Sequence, residues 1–284
     1  AFAKNSNIGI VHDTSGSGQT VFIEPHAVIA LNNQLRLVEG ELIAAERRIL
    51  ASLSQIVGQM APFVPPALDV VTEIDVAVAR ATLGRDLNAT RPRVGDEGVI
   101  DLRNARHPVL LLRNIEVVPN DLRVSHDAPV LVLTGPNTGG KTVALKTIGL
   151  CTLLVQYGCF IPADDGSRVD AFSAVKAVVG DQQTVHGDLS SFSGHMSRLG
   201  AMTAEASSPE LGHNDLFLID EIVQGTDPGQ GAVLAQAILE DMVSRGPRIV
   251  VTTHYARLKL LGNTDSRFTV AALEKGHEIM RVFF

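Results

Sequence analysis

Apolar positions along this chain follow two different periods, and the change between them falls near Gly98. From Ala27 to about Met60, Val28, Leu31, Leu35, Val38, Leu42, Ala45, Ile49, Leu53 and Ile56 recur at three- and four-residue steps. That spacing is one face of an amphipathic helix, which at 1.5 Å per residue extends roughly 50 Å. Pro62, Pro65 and Pro66 interrupt it, and a second stripe of Leu68, Val71, Ile74, Val78 and Ala81 predicts another helix over 67–85. An antiparallel helix pair with a heptad-like seam is expected, fit to serve either as scaffold or as a signal-transmitting arm. Ahead of it, Ile8–Val11 and Thr20–Ile23 flank Asp13-Thr14-Ser15-Gly16-Ser17-Gly18, the pattern of a β-hairpin with a polar, glycine-rich tip. Asn88–Gly98, with Pro92, Gly95 and Gly98, reads as a linker.

Beyond the linker, short apolar runs alternate with helical segments. Strand Val130–Thr134, helix Lys141–Tyr157, strand Ala174–Gly180, helix Ser190–Ala206, strand Leu216–Asp220, helix Gly229–Ser244 and strand Ile249–Thr253 predict an α/β fold whose mostly parallel sheet is covered by helices. Thr269–Leu273 and Glu278–Phe283, around Lys275-Gly276-His277, read as a closing hairpin. Two domains are therefore expected, 1–97 and 98–284. In such sheets ligands sit at the carboxyl ends of the strands.

Composition narrows the classes. With 45% hydrophobic residues there is ample material for a core, while 4% aromatic content and no Trp make a base-stacking single-strand platform a poor fit, so any nucleic-acid contact would be with backbone. The net charge of −7 argues against a surface coated in phosphate-binding cations but leaves room for a local basic patch. Cys151 and Cys159 fall in the apolar stretch after Lys141 and read as buried thiols in a reducing compartment. No run approaches the ~18 apolar residues of a membrane helix, and the start lacks a signal-peptide pattern. The chain reads as soluble and cytoplasmic. It begins at Ala1 rather than Met and stops at Phe284 after an apolar strand, so it is expected to be a piece of something longer.

The chemistry concentrates where predicted strands end. Gly135-Pro136-Asn137-Thr138-Gly139-Gly140-Lys141-Thr142 follows the apolar run Val130–Thr134 and fits G-x-x-x-x-G-K-[ST]. Glycines let the backbone wrap so that amides and a helix N-terminus face one anion. Lys141 would reach the β- and γ-phosphates, and Thr142 would offer a hydroxyl to Mg²⁺. Leu216–Glu221 is an apolar run ending in two carboxylates. Asp220 would hold Mg²⁺ directly or through water, and Glu221 would point at the attacking water. His254, in Thr252-Thr253-His254-Tyr255, would hydrogen-bond the γ-phosphate or that water. Ser190–Met196 suits phosphate binding and plain helix capping equally well, and Gly225-Thr226-Asp227-Pro228 reads by chemistry alone as an ordinary helix start. Gln182 and Gln183, at the end of the Ala174–Gly180 strand, could ligate Mg²⁺ through water.

Taken with Arg106-His107-Pro108 and Val118-Pro119-Asn120-Asp121, these motifs resemble, in this order, the ATPase domain of the MutS family, over about Ile100–Leu261. The helices of 27–85 look like the core and lever helices of that family. Gly225-Thr226-Asp227-Pro228, the Ser-Phe-Ser-x-His-Met of Ser191–Met196 and the Phe22-Ile23-Glu24-Pro25 ending of the hairpin tip resemble the type-two branch rather than the mismatch-repair branch. The resemblance implies an ABC-type P-loop NTPase that binds ATP with Mg²⁺ and hydrolyses it as a homodimer. Two ATP molecules would be sandwiched between subunits, Ser190 of one reaching the γ-phosphate held by Lys141 of the other, with Asn137 also contacting that phosphate. Val117 or Val118 would line the adenine pocket, where mismatch-repair members tend to place an aromatic. That branch is implicated in restraining homologous recombination by binding branched DNA and, in some bacteria, in acting on stalled ribosomes. Its C-terminal nuclease domain and final dimerising helices are not found in this sequence, so DNA cleavage is not expected of this piece.

Other readings fit less well. A transporter ATPase subunit would need Leu-Ser-Gly-Gly-Gln where Ser190–Met196 stands, and a coiled-coil repair ATPase would insert hundreds of residues between Lys141 and Asp220. A mismatch-repair sensor, or a nucleotide-gated dimerisation module with negligible turnover, is the remaining alternative.

Overall fold

The computed structural model describes residues 8–17, 19–136, 140–179, 188–206, 214–223, 227–276 and 279–283. The chain divides into two compact units, 1–75 and 76–284, with the boundary inside a helix.

In the first unit, β1 (Gly9–Thr14) and β2 (Val21–Pro25) pair antiparallel, with a bulge between Val11 and Asp13. Pro25 then opens α1 (His26–Met60). Glu24 ties strand to helix, accepting from His12 Nε2 and Asn32 Nδ2, each at 2.6 Å. A 3-10 turn, Ala61–Phe63, leads into α2 (Val64–Asp86). The expected antiparallel seam is not formed. No residue of α1 is buried, and its stripe faces solvent, Leu31 at 64% exposure. The reason is local: Met60, Ala61 and Val64 all keep right-handed helical angles. Proline near the start of a helical turn is compatible with those angles, so the prolines change the hydrogen-bond pattern without reversing the chain.

The second unit is a parallel α/β structure. Its strands are β3 (Ile100–Ala105), β4 (Asn120–Val124), β5 (Val130–Thr134), β6 (Arg168–Val169), β7 (Ala174–Val178), β8 (Asp215–Ile219), β9 (Arg248–Thr253), β10 (Phe268–Gly276) and β11 (Ile279–Phe283). Five of them run parallel in the order β10-β5-β9-β8-β7, and β11 adds an antiparallel edge. The helices are α3 (Pro108–Leu112), α4 (Lys141–Gln156), α5 (Asp188–Ala206), α6 (Pro228–Val243) and α7 (Leu261–Thr264).

Side-chain parity splits the core into two layers. Val130, Val132, Phe217, Ile219, Ile249 and Val251 pack with α5 and α6 through Leu199, Met202, Ala235, Leu239 and Met242. Their alternates Leu131, Leu133, Leu216, Leu218 and Val250 pack with α4 through Ala144, Leu145, Ile148 and Cys151. Full burial of each such side chain contributes about 1.5–3 kcal/mol, and a sheet apolar on both faces is the signature of parallel pairing. A small antiparallel sheet, β4-β3-β6, covers the α4 side with Ile100, Leu102, Leu122, Val124 and Val169. Cys151 is buried as expected, but Cys159 is partly exposed; both are free thiols.

The segment 88–98 is not a free linker. Thr90 pairs with Ile161 and Arg93 with Arg168. Buried Asp170 accepts from the amides of Glu97 and Val99, each at 3.0 Å, and from Arg168 Nε at 2.7 Å. Arg248 donates to the carbonyl oxygens of Glu97, Gly98 and Gly246 at 2.8, 3.0 and 3.0 Å. The polar, Gly- and Pro-containing composition that suggests a linker also suits a strap whose own backbone groups do the bonding. Burial alone would push the Asp170 carboxyl up, but the Arg168 guanidinium and the two amides outweigh it and hold it below the usual carboxylate range. A depressed carboxylate contributes stability above its unfolded pKa and loses it as pH falls through the folded value. Asp170→Asn should therefore lower the unfolding free energy at pH 7 by about 2–4 kcal/mol in urea titration. The gap to wild type should narrow as pH drops below about 3.9.

Candidate functional site

β9 lies between β5 and β8, so the chain ends of three neighbouring strands meet at one edge of the sheet. At the end of β5, Gly135 has φ 138°, and a Cβ there would stand 2.7 Å from the Leu273 carbonyl oxygen. Gly140, at φ 73°, is left-handed and precedes α4, whose N-terminus has no side-chain cap. A helix start without a side-chain cap presents its first-turn amides at the positive end of the helix dipole, the arrangement that receives an anion. Pro136 is described; Asn137, Thr138 and Gly139 lie outside the described residues.

Lys141, the first residue of α4, is only 3% exposed, and its Nζ donates to the Gly135 carbonyl at 2.8 Å. Burial pulls its pKa down and Lys259 adds to that, while the carboxylates of Glu221 and Asp220 pull it back up. A buried ammonium beside two carboxylates and an uncapped helix start is a centre suited to a polyanion and its counter-cation.

Parity explains how Asp220 joins it. Leu216 and Leu218 face α4, so the next alternate, Asp220, does too; Val250 faces α4, so Thr252 follows. Ile219 stands opposite Val251, which brings Asp220 level with Thr252. The Thr142 hydroxyl lies 2.9 Å from Asp220 Oδ2 and 3.1 Å from Oδ1. The Thr252 hydroxyl donates to Oδ1 at 2.6 Å and accepts from the Glu221 amide at 2.7 Å. Glu221 and Val223 have positive φ, 50° and 59°. The Tyr255 hydroxyl donates to the Val223 carbonyl at 2.6 Å.

The structure thus brings Lys141, Thr142, Asp220 and Glu221 into one cluster. His254 is exposed, two residues beyond Thr252, its ring 4.5 Å from that of Tyr255. Val117 and Val118 are half-buried just ahead of β4, where Asn120 Nδ2 donates to the Val118 carbonyl. Ser190 lies in α5, but its side chain, like Gln182, Gln183, Gly225 and Thr226, falls outside what is described. Asp227 caps α6, accepting from Gly229 and Gln230 amides at 3.0 and 3.1 Å. His107 caps α3, its Nδ1 accepting from the Leu110 amide.

Three site neighbours were not singled out from sequence. Thr252 was readable from its parity with Val250, and Tyr255 stood in the quoted Thr252-Thr253-His254-Tyr255 motif without a role assigned to it. His195 on α5 is buried, with Nε2 unpartnered among the described residues; burial lowers its pKa, Arg198 reinforces this and Asp220 opposes it.

A family profile for MutS domain V matches residues 131–284. The chain belongs to the MutS family. It is 46% identical over 270 residues to an endonuclease MutS2 of Pelotomaculum thermopropionicum, covering 94% of this chain and 33% of that protein. It is 44% identical over 273 residues to endonuclease MutS2 of a Geobacillus species, covering 96% and 34% respectively. The corresponding figures for endonuclease MutS2 of Caldicellulosiruptor bescii are 39% over 271 residues, 95% and 34%. The chain spans about a third of the length of these curated relatives, and their names agree with the type-two branch indicated by Ser191–Met196 and Gly225–Pro228. MutS domain V is an ATPase domain of the family.

The donors fit Mg²⁺ with a nucleotide. Among the described residues no group of three or more His, Cys, Asp or Glu could hold a metal alone. A hydroxyl and a carboxylate 2.9 Å apart supply the one or two protein oxygens that Mg²⁺ takes when phosphates and water complete its octahedron. Lys141→Ala should weaken ATP binding at least about 100-fold, read by titration with a fluorescent ATP analogue. An affinity within about 10-fold of wild type would contradict that role for the buried ammonium.

Proposed function

We propose that this protein binds ATP with Mg²⁺ at the Gly135–Thr142 loop and hydrolyses it to ADP and phosphate. The observation that supports this best is the Thr142–Asp220 hydrogen bond, which unites the phosphate loop with the carboxylate strand. The backbone of Gly135–Gly140 and the start of α4 cradle the β- and γ-phosphates, and Lys141 neutralises them in a water-poor pocket. Thr142 and Asp220 would hold Mg²⁺, which would supply charge neutralisation at the phosphate oxygens. Glu221 orients the attacking water and takes its proton. His254 contacts the γ-phosphate or that water, and Val117 and Val118 line the adenine pocket. Asn137 would contact the γ-phosphate from within the loop, and Gln182 would reach Mg²⁺ through water.

Turnover is coupled to a homodimer in which Ser190 of one subunit reaches the ATP held by Lys141 of the other. ATP state then governs binding of branched or duplex DNA and, as in some bacteria of this branch, of stalled ribosomes. The relatives are named endonucleases; cleavage is not assigned to the residues described here. No described helix is long and apolar enough to cross a membrane.

Single-turnover hydrolysis separates this enzyme from a module that merely binds ATP. Glu221→Gln should slow the step by about 10²–10⁴-fold with ATP affinity retained. Equal rates in variant and wild type would remove the catalytic reading. The dimer has its own test. In a two-fold assembly, a Lys141→Ala subunit paired with a Ser190→Ala subunit keeps one fully intact site. At equal ratio random pairing makes half of the dimers mixed, so combining the two inactive variants should recover up to about a quarter of wild-type turnover, and no recovery at any ratio would exclude action across the interface.

A further inference from the structure

Glu221 can serve as a base only if its carboxylate is aimed, and its backbone is in a conformation that a side chain with a Cβ disfavours. Glu221 at φ 50° and Val223 at φ 59° both lie in the left-handed region. Single non-glycine residues there persist where surrounding contacts impose them. The contacts come from one short segment. The Thr252 hydroxyl, fully buried, accepts from the Glu221 amide at 2.7 Å while donating to Asp220 Oδ1 at 2.6 Å. The Thr252 carbonyl accepts from the Ile222 amide at 3.3 Å. The buried Tyr255 hydroxyl donates to the Val223 carbonyl at 2.6 Å, and Tyr255 is itself fixed by its amide donating to Thr253 Oγ1 at 3.0 Å. Residues 221, 222 and 223 are thus each held by the four-residue segment that carries His254.

We infer that Thr252 and Tyr255 are positioning residues that clamp the Glu221 turn. Thr252 sets the angle between the Asp220 carboxylate and the Glu221 backbone, and Tyr255 closes the turn from its far side. A threonine hydroxyl has one proton and two lone pairs. With the proton committed to Asp220, a lone pair is free for the Glu221 amide, so one atom fixes the metal-side carboxylate and the water-side residue together. Valine has the same shape without this capacity, and serine keeps the capacity without the methyl. The catalytic consequence rests on the proposed ATPase reading; the clamp itself does not.

The two are separated by measuring amide hydrogen exchange across Ile219–Val223 in the nucleotide-free protein alongside ATP affinity and turnover. Thr252→Val should speed exchange of the Glu221 amide about 10-fold or more. It should lower kcat about 100-fold with ATP affinity within about 3-fold of wild type, and Thr252→Ser should restore both exchange and kcat to within about 3-fold. Unchanged exchange at Glu221 in Thr252→Val, or a serine variant as slow as valine, overturns the clamp. Should Thr252→Val not fold, Tyr255→Phe carries the test: it should release Val223 and slow turnover without changing ATP affinity, and normal kcat overturns the role of Tyr255. A wild-type protein that binds no ATP, with Glu221 exchange still released by Thr252→Val, sinks the ATPase reading and supports the clamp.

Discussion

The Asp220 carboxylate needs its lone pairs answered, and the answer comes from hydroxyls on two other elements, Thr142 of α4 and Thr252 of β9. Hydrogen bonds to a charged group contribute about 1.5–3 kcal/mol each, and here they exist only if β8, β9 and the start of α4 are in register. A slip of β8 by one residue would turn Asp220 toward the α5 and α6 face and place Ile219 against α4. Both faces of Leu216–Ile219 are apolar and buried, so it is the fit of side-chain shapes in the two core layers, not polarity, that opposes that slip. The site's geometry is therefore enforced by core packing, and the chemistry sits where the apolar run ends.

Past Asp220 the enforcement changes character. Left-handed angles at Glu221 and Val223 cost roughly 1–2 kcal/mol per residue, about what one hydrogen bond returns. The turn persists because several contacts act on it at once. Hydroxyls from Thr252 and Tyr255 hold it, and Ile222 and Val223, both buried, add apolar contact. Strain held by a few polar contacts beside a carboxylate is the pattern found at functional sites, in contrast with the redundantly packed strands below it.

The strands of the parallel sheet were legible because they are apolar on both faces and punctuated by Gly, Asp and Pro. Val130–Thr134 stands where the period placed it, and β8 and β9 each begin one residue earlier. The phosphate loop, the carboxylate pair and the threonine-histidine segment were legible as residue types, and the topology supplied their meeting by inserting β9 between β5 and β8. The β4-β3-β6 sheet was not legible. β6 has two residues and β4 mixes Asp121 and Arg123 with its apolar positions, too little period to separate from loop. The strap at 88–98 was misread because its order comes from long-range partners, Asp170 and Arg248, that local composition does not reveal. The helical seam failed for the opposite reason: a stripe on α1 shows that a face wants burial without saying against what.

These two lessons join at β9. Arg248 opens that strand and grips the carbonyls of Glu97 and Gly98, while Thr252 near its other end grips Asp220 and the Glu221 amide. The strap that follows α2 and the turn that carries Glu221 are thus fastened to opposite ends of one six-residue strand, paired on both sides within the sheet. Such a strand holds both attachments at a fixed separation, but a rigid element transmits position without choosing between states. A switch requires a part with two arrangements of similar free energy. At the Glu221–Val223 turn the hydrogen bonds from Thr252 and Tyr255 hold two left-handed residues in one arrangement, so strand and turn together form a fixed mount for Glu221.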